Sequence, residues 1–483
     1  MTAAAAAAAA EPPLVIDLDG TLLRSDLLQE SALRLLQVAP LQALRMPGWL
    51  LAGKAVLKRR IAEHVEIDVG TLPYDERVLA WIDEERARGR RIVLCTASDA
   101  HYAEAVAKHL GRFDEVVASD GRTNISAQRK AQALVERFGA GGFDYAGNAR
   151  DDLPVWAVAR RAVLVSASTA VAAAARRGTT VEREFAPIPA GPRVWLKAVR
   201  LHQWLKNLLV FLPLLGAHRL GEMALLAQAL LAFVAFGLCA SSVYLLNDLM
   251  DVQSDRRHPR KQMRPFAAGQ LSPAAGLMAS GALLVAAFAL ALKTGTAFAG
   301  WLAVYFGVTL AYTFWLKRKL VLDALALAGL YTLRVVGGGA AVALTPSFWL
   351  LAFSLFLFLS LAFVKRYSEL LLMQDEGRSA AAGRSYMTQD LALVSMLGVN
   401  AGFAAVLVLA LYLDSENVVR LYRTPELMWL AVPLLLYWIS RMWVKAHRGQ
   451  MHDDPLMFAV RDPTSLACGG LFLVVLSLAT LPW

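Results

Sequence analysis

Two patterns of apolar and polar positions divide the chain. Between residues 12 and 167 the apolar runs are short, as in "LVIDLDG", "RRIVLCTASD" and "FDYAGN", and stretches of helical character separate them. Short continuous apolar runs read as strands buried on both faces, and their alternation with helices predicts a doubly wound α/β domain. Residues 24–90 read as a helical insertion in that domain. From residue 205 the apolar runs lengthen towards the roughly 20 residues that cross a bilayer. Nine are legible, near 207–218, 223–247, 274–292, 295–315, 320–344, 347–364, 390–413, 427–444 and 464–482, the first being the shortest. They predict an all-α polytopic membrane domain over 193–483. An Ala-rich tail (1–11) and an Ala- then Pro-rich linker (168–192) complete the division.

Composition supports the membrane half. The 483 residues are 57% hydrophobic and only 18% charged, where a soluble domain carries about a quarter. A net charge of +10 raises nucleic acid as a partner, but the excess sits in short loops where topology accounts for it. Arg256, Arg257, Arg260, Lys261 and Arg264 fall in one loop, Lys317 to Lys319 in the next. Lys365, Arg366, Arg378 and Arg384 follow in a third, then Lys445, Arg448 and Arg461 in a fourth, whereas the opposite loops hold little beyond Arg219, Lys293, Arg420 and Arg423. The positive-inside rule then predicts a cytosolic N-terminal domain, a multi-pass protein of the inner membrane, and no nucleic-acid partner. The opening "MTAAAAAAAAEPPLV" has no signal-peptide n- and h-regions, which fits that orientation. Cys95, Cys239 and Cys468 lie too far apart for a disulfide framework or a zinc site.

Topology does not account for the acids in "NDLMDVQSDRRHPRKQMRPFAAG". Asn247, Asp251 and Asp255 are spaced i, i+4, i+8, and Asp248 stands beside them. On a continuing helix they share one face, where like charges repel. Mg²⁺, a hard cation usually shared between carboxylates and substrate phosphates, compensates. Arg256, Arg257, Lys261 and Arg264 are placed to hold outer phosphate oxygens. "LKRKLVLDALALAGLYTLRVVGGG" adds Lys317, Asp323 and Arg334. Ionisable residues inside such a segment face a cavity or each other, and eleven residues apart on one helix face Asp323 and Arg334 are also candidates for a mutual ion pair. Gly337–Gly339 reads as close helix packing. Later loops on the same side offer Lys365, Arg366, Glu369, Arg384 and Tyr386, then His452, Asp453, Asp454 and Asp462.

In the α/β half, Asp17-x-Asp19-Gly-Thr21 follows a buried strand. Asp17 is placed to attack phosphorus and Asp19 to act as acid and base, both oriented around Mg²⁺. Thr96 and Ser98 end another strand with hydroxyls suited to phosphate, Lys130 lies near a helix start, and Asn148, Asp151 and Asp152 follow a third strand. The apolar and basic insertion reads as a packed cap over that site, or as a segment resting on anionic lipid.

Residues 195–483 resemble the UbiA-type prenyltransferase superfamily, through "LHQWLKNLLVFLPLL" and the Asp-rich stretch. The combination with "LKRKLVLD", "KRY.EL" and "DDP..FA..D..S" is similar to its decaprenyl-phosphate phosphoribosyltransferase branch. The resemblance implies a nine-helix enzyme with a central cavity and Mg²⁺ at Asp248, Asp251, Asp255 and Asp323. It implies substrate contacts from Asn247, Arg257, Lys261, Arg264, Lys317, Arg334, Lys365 and Tyr386. The implied donor is phosphoribosyl diphosphate and the acceptor a polyprenyl phosphate. Leu327 stands where aromatic prenyltransferases carry a second acid. Residues 12–167 resemble the haloacid dehalogenase superfamily, which implies catalysis by Asp17 and Asp19 and phosphate binding by Thr96, Ser98 and Lys130. A second Mg²⁺ falls to Asp17, Asp19, Asn148 and Asp152. That family begins its last motif Gly-Asp; Gly147-Asn148 here lacks the charge. The fusion implies phosphoribosyl transfer followed by removal of the ribose 5-phosphate. The alternatives are a prenyltransferase acting on an aromatic or lipid acceptor, and a transporter or scaffold with a degenerate phosphatase-like domain. A homo-oligomer is compatible with either.

Overall fold

The computed structural model describes residues 11–377, 385–415, 418, 422–451 and 454–480; Arg378, Arg384, Arg420, His452 and Asp453 lie outside them. The chain forms two compact units. One comprises the residues up to Val199 together with Tyr244–Ala279, the other Arg200–Val243 and Ser280 onward. The Asp-rich stretch thus belongs to the α/β unit, although two membrane spans flank it in sequence.

The α/β unit is built on six parallel strands: β1 (Leu14–Ile16), β2 (Ile92–Asp99), β3 (Glu115–Ser119), β4 (Asp144–Gly147), β5 (Arg161–Val165) and β6 (Val181–Phe185). Their order is β3-β2-β1-β4-β5-β6, the doubly wound arrangement expected. Leu14, Ile16, Ile92 and Leu94 pack on one side of the sheet and Val15, Val93, Tyr145 and Leu164 on the other, which is why these strands read as unbroken apolar runs. The direction of winding reverses between β1 and β4, so the crevice at the carboxyl ends of these strands is where a ligand site forms. Between β1 and β2 the insertion folds as helix α1 (Leu27–Val38), the short helices Pro40–Ala43 and Met46–Leu51, and the helices Lys54–Ala62 and Glu76–Ala87.

Eight helices among the described residues are long and apolar enough to cross a membrane, from Met223–Met250 to Pro463–Thr480. They coincide with eight of the nine apolar runs. The first run differs. It is a 3-10 helix, Leu201–Phe211, continued by the short α-helix Leu212–Gly216, which Pro213 opens and Gly216 ends. Eleven residues at about 2.0 Å rise and five at about 1.5 Å still reach about 30 Å, the hydrocarbon thickness. A side chain at Gly338 would run into the Val210 carbonyl, and one at Gly337 into the Phe236 ring. The triple glycine is therefore helix packing.

Candidate functional site

In the α/β unit the sheet brings the predicted residues to one edge. Asp17 follows β1 directly, Thr96 and Ser98 sit near the end of β2, and Asn148 and Asp152 follow β4. Lys130 Nζ lies 2.7 Å from Asp17 Oδ1, 2.8 Å from the Tyr145 hydroxyl and 3.6 Å from Asp152 Oδ1. Asp152 accepts the Tyr145 hydroxyl at 2.7 Å and the Asn148 and Ala149 amides at 3.0 Å. Asp152 therefore holds Lys130 and the loop bearing Asn148, while Asp151 is exposed. Asp19 accepts the Ser98 hydroxyl at 2.5 Å and the Leu27 amide at 2.8 Å. Thr96 is fully buried and its hydroxyl accepts the Ser98 amide at 3.0 Å. Gly20, at φ +77°, gives the room the Asn148 amide needs, since a Cβ there would strike it.

Charge is unbalanced in this site. Burial pushes the Asp17 carboxyl up to about 6; Lys130 pulls it back and Asp152 pushes it further. Burial pushes Asp19 up to about 7, helped by Asp26 and opposed by the Ser98 hydroxyl. Burial works against the Lys130 charge, but Asp17 and Asp152 outweigh it and hold its pKa above the ordinary lysine value. Lys58 comes from the insertion and donates to the Ala97 carbonyl at 2.6 Å and to Asn124 at 2.9 Å. Burial lowers its pKa, against the pull of Asp19 and Asp26. Sequence reasoning missed Lys58, whose only signal was a basic run inside the insertion.

The Asp-rich stretch departs from the single helix expected. The span ends at Met250, Asp251 leaves the helix at φ −90° and ψ 6°, and a short helix follows, Val252–Arg256. Arg264 Nη1 then bridges two buried carboxylates, Asp248 at 3.1 Å and Asp255 at 2.7 Å. Burial raises the Asp255 pKa, Arg264 opposing and Asp248 adding to it. The turn at Asp251, in place of the helix that the i, i+4 spacing suggested, lets Arg264 reach both carboxylates. Asn247 and Asp251 are half-buried and Lys261 is exposed. Arg257 is held by Asp68 at 2.7 Å. Arg256 makes a bidentate pair with Glu30 of α1, at 2.7 and 2.8 Å, with both side chains buried.

In the second unit Asp323 is fully buried and does not pair with Arg334. Its Oδ2 accepts Arg366 Nε at 2.5 Å and its Oδ1 the Tyr386 hydroxyl at 2.8 Å. Arg366 also reaches Glu369 at 2.6 Å and the Tyr312 hydroxyl at 3.0 Å. Arg334 instead binds Asn207 Oδ1 at 2.9 Å and the Tyr305 hydroxyl at 2.8 Å. A carboxylate favours a forked arginine on another helix over one three turns along its own, since the side chains then meet end to end. Asp454 takes Lys206 at 2.6 Å and Lys365 at 3.5 Å. Burial opposes its charge, but the two lysines hold it well below the usual carboxylate range. Lys317 is half-buried. Lys206 and Asn207, whose Nδ2 is buried without a partner, were missed, although both stand in "LHQWLKN".

Among the described residues no three His, Cys, Asp or Glu side chains come close enough to hold a metal by themselves. The donor sets nevertheless suit Mg²⁺, which binds through one or two carboxylates with substrate phosphates and water. Asp17 with the Asn148 amide is one such set, and Asp248 with Asp255 another. Asp323 accepts from Arg366, Tyr386 and the Ala324 amide.

A profile of the UbiA prenyltransferase family matches residues 209–461, more than half the chain. The chain belongs to that family. A haloacid dehalogenase-like hydrolase profile matches residues 14–156. This UbiA-family chain is 37% identical over 462 residues to the uncharacterized protein y4nM of Sinorhizobium fredii, covering 95% of this chain and 89% of that one. It is 38% identical to the nodulation protein NoeC of Azorhizobium caulinodans, over 57% of this chain and 89% of that one. It is 35% identical to the decaprenyl-phosphate phosphoribosyltransferase of Mycolicibacterium smegmatis, over 55% of this chain and 86% of that one. The protein is thus a multi-pass membrane enzyme of UbiA type carrying a haloacid dehalogenase-like domain.

Proposed function

We propose that the membrane domain transfers 5-phosphoribose from phosphoribosyl diphosphate to a polyprenyl phosphate, and that the α/β domain then hydrolyses the ribose 5-phosphate. The observation that carries the reading is the Asp248–Arg264–Asp255 cluster, in a chain 35% identical to a decaprenyl-phosphate phosphoribosyltransferase over 86% of that protein. In the transfer, a lipid phosphate oxygen bonds to ribose C1 as the C1–O bond to diphosphate breaks. Asp248 and Asp255 would hold Mg²⁺, with Asp251 beside them, and the ion would neutralise charge on the leaving diphosphate. Arg264 and Lys261 take phosphate oxygens, with Asn247 beside them. We assign Asp323 to holding Arg366 in place rather than to metal. Leu327 in place of a second acid supports a sugar donor over a prenyl one.

In the hydrolysis, Asp17 attacks phosphorus while Asp19 gives its proton to the leaving ribose O5. Asp19 then takes a proton from the water that releases phosphate from Asp17. Asp19, held up near 7 by burial, can do both. Thr96, Ser98 and Lys130 hold the phosphate; Asp17, Asp19 and Asn148 would hold Mg²⁺, positioned by Asp152. The basic loops support placing both sites on the cytosolic side of the inner membrane.

The test supplies membranes with labelled phosphoribosyl diphosphate, a polyprenyl phosphate and Mg²⁺. A labelled lipid free of 5-phosphate is expected, and one retaining it in Asp17→Asn. Absence of any sugar-lipid, with turnover of a prenyl diphosphate on an aromatic acceptor, overturns the transfer. Identical product phosphorylation in Asp17→Asn overturns the hydrolysis.

A further inference from the structure

Up to Phe185 the described residues of the α/β domain expose six large apolar side chains, and all six lie between Leu36 and Leu51. Leu41 is 79% exposed, Leu44 76% and Leu51 91%. Pro40, Pro47 and Gly53 break this stretch into helices too short to bury their own leucines. Concentrated apolar exposure on a soluble fold marks an interaction surface.

Two further observations say what covers it. From Ser31 to Ala62 the chain carries Arg34, Arg45, Lys54, Lys58, Arg59 and Arg60 and no acid. Arg45, between Leu44 and Leu50, and Lys54, just beyond Leu51, are exposed, and among the described residues their side chains make no hydrogen bond or ion pair. The second observation is position. The Gln37 amide donates to the carbonyl of Met250, the last residue of a membrane span, and Gln29 accepts the amide of Ala274, at the start of the next. Helix α1 therefore packs against the adjoining ends of these two apolar helices, and the exposed leucines follow it in the chain.

We propose that residues 36–51 form an interfacial anchor, with Leu41, Leu44, Leu50 and Leu51 in the acyl boundary of an anionic bilayer and Arg45 and Lys54 on its phosphates. The same insertion supplies Lys58 to the phosphatase site, so the anchor holds that site beside the lipid surface.

The full chain in phosphatidylglycerol vesicles tests this. Cys95, Cys239 and Cys468 are buried, so a fluorescent thiol label reports introduced cysteines. Leu44→Cys and Leu51→Cys should lose emission to phospholipid brominated near the glycerol end of its chains and resist aqueous iodide. Gln132→Cys, exposed elsewhere on the domain, should do the reverse. Equal iodide quenching at all three positions places the leucines in water and overturns the proposal. Protection from iodide without bromolipid quenching overturns it in favour of a second copy of the chain. Arg45→Glu with Lys54→Glu should reduce bromolipid quenching at Leu51→Cys; unchanged quenching overturns the assignment to anionic lipid. No arm reads activity, so the outcome is separate from that of the proposed reactions.

Discussion

Asp19 shows what a single residue commits the protein to. Its carboxyl titrates near 7 against about 3.9 in an unfolded chain. A raised carboxyl pKa contributes stability that is complete below about 3.9 and is lost as pH rises towards 7. Thermal unfolding across that range should show the wild type losing stability and Asp19→Asn losing less. Hydrolysis should decline above pH 7 as the donor proton is lost, which a pH–rate profile of phosphate release reads. Arg366 makes the complementary point. With Asp323 it forms a pair that is almost wholly inaccessible, and removing one partner of a buried pair costs about 3–5 kcal/mol. Arg366→Leu should lower the unfolding temperature of the extracted enzyme more than Arg366→Lys. Neither partnership was legible in sequence. Asp17-x-Asp19 announced itself by its place after a strand, but Asp323 has an arginine on its own helix face and another forty-three residues on. Periodicity offers the first, and only tertiary structure chooses the second.

At the scale of elements, α1 ties the proposed phosphatase site to the Asp-rich loop within the α/β unit. Its first amide, on Leu27, is held by Asp19, and one turn on, Glu30 grips Arg256, the neighbour of Asp255. Glu30→Ala should leave the Arg256 charge buried and bare and loosen the Asp-rich loop. The expected readout is a higher KM for phosphoribosyl diphosphate, with Glu30→Arg/Arg256→Glu recovering much of the loss. Strands and spans were legible because burial on both faces or in lipid writes continuous apolar runs, short in the first case and long in the second. The Glu30–Arg256 contact was not, because its halves stand 226 residues apart and each reads alone as an ordinary charged position.

For the whole molecule, the eight long helices among the described residues, taken with the cytosolic α/β domain that the basic loops predict, leave the count uneven. If the loop after Met250 is cytosolic, the residues before Met223 are outside, and the segment Leu201–Gly216 must make the remaining crossing. Its extended 3-10 form gives it the reach. Glu222→Cys should react with an impermeant maleimide in intact cells, and Arg260→Cys only after lysis. Labelling of both from one side would break the topology.

The discontinuity of the α/β unit also governs how the protein is made. Residues up to Val199 leave the ribosome well before Tyr244–Ala279 complete the same unit, a lag on the order of ten seconds at ordinary synthesis rates. For that interval Glu30 has no counter-charge. The first domain translated is thus finished only after two spans are threaded, and assembly proceeds by return rather than in sequence. A gene cut at the linker would leave the first half without Tyr244–Ala279, which the second half would carry in its place.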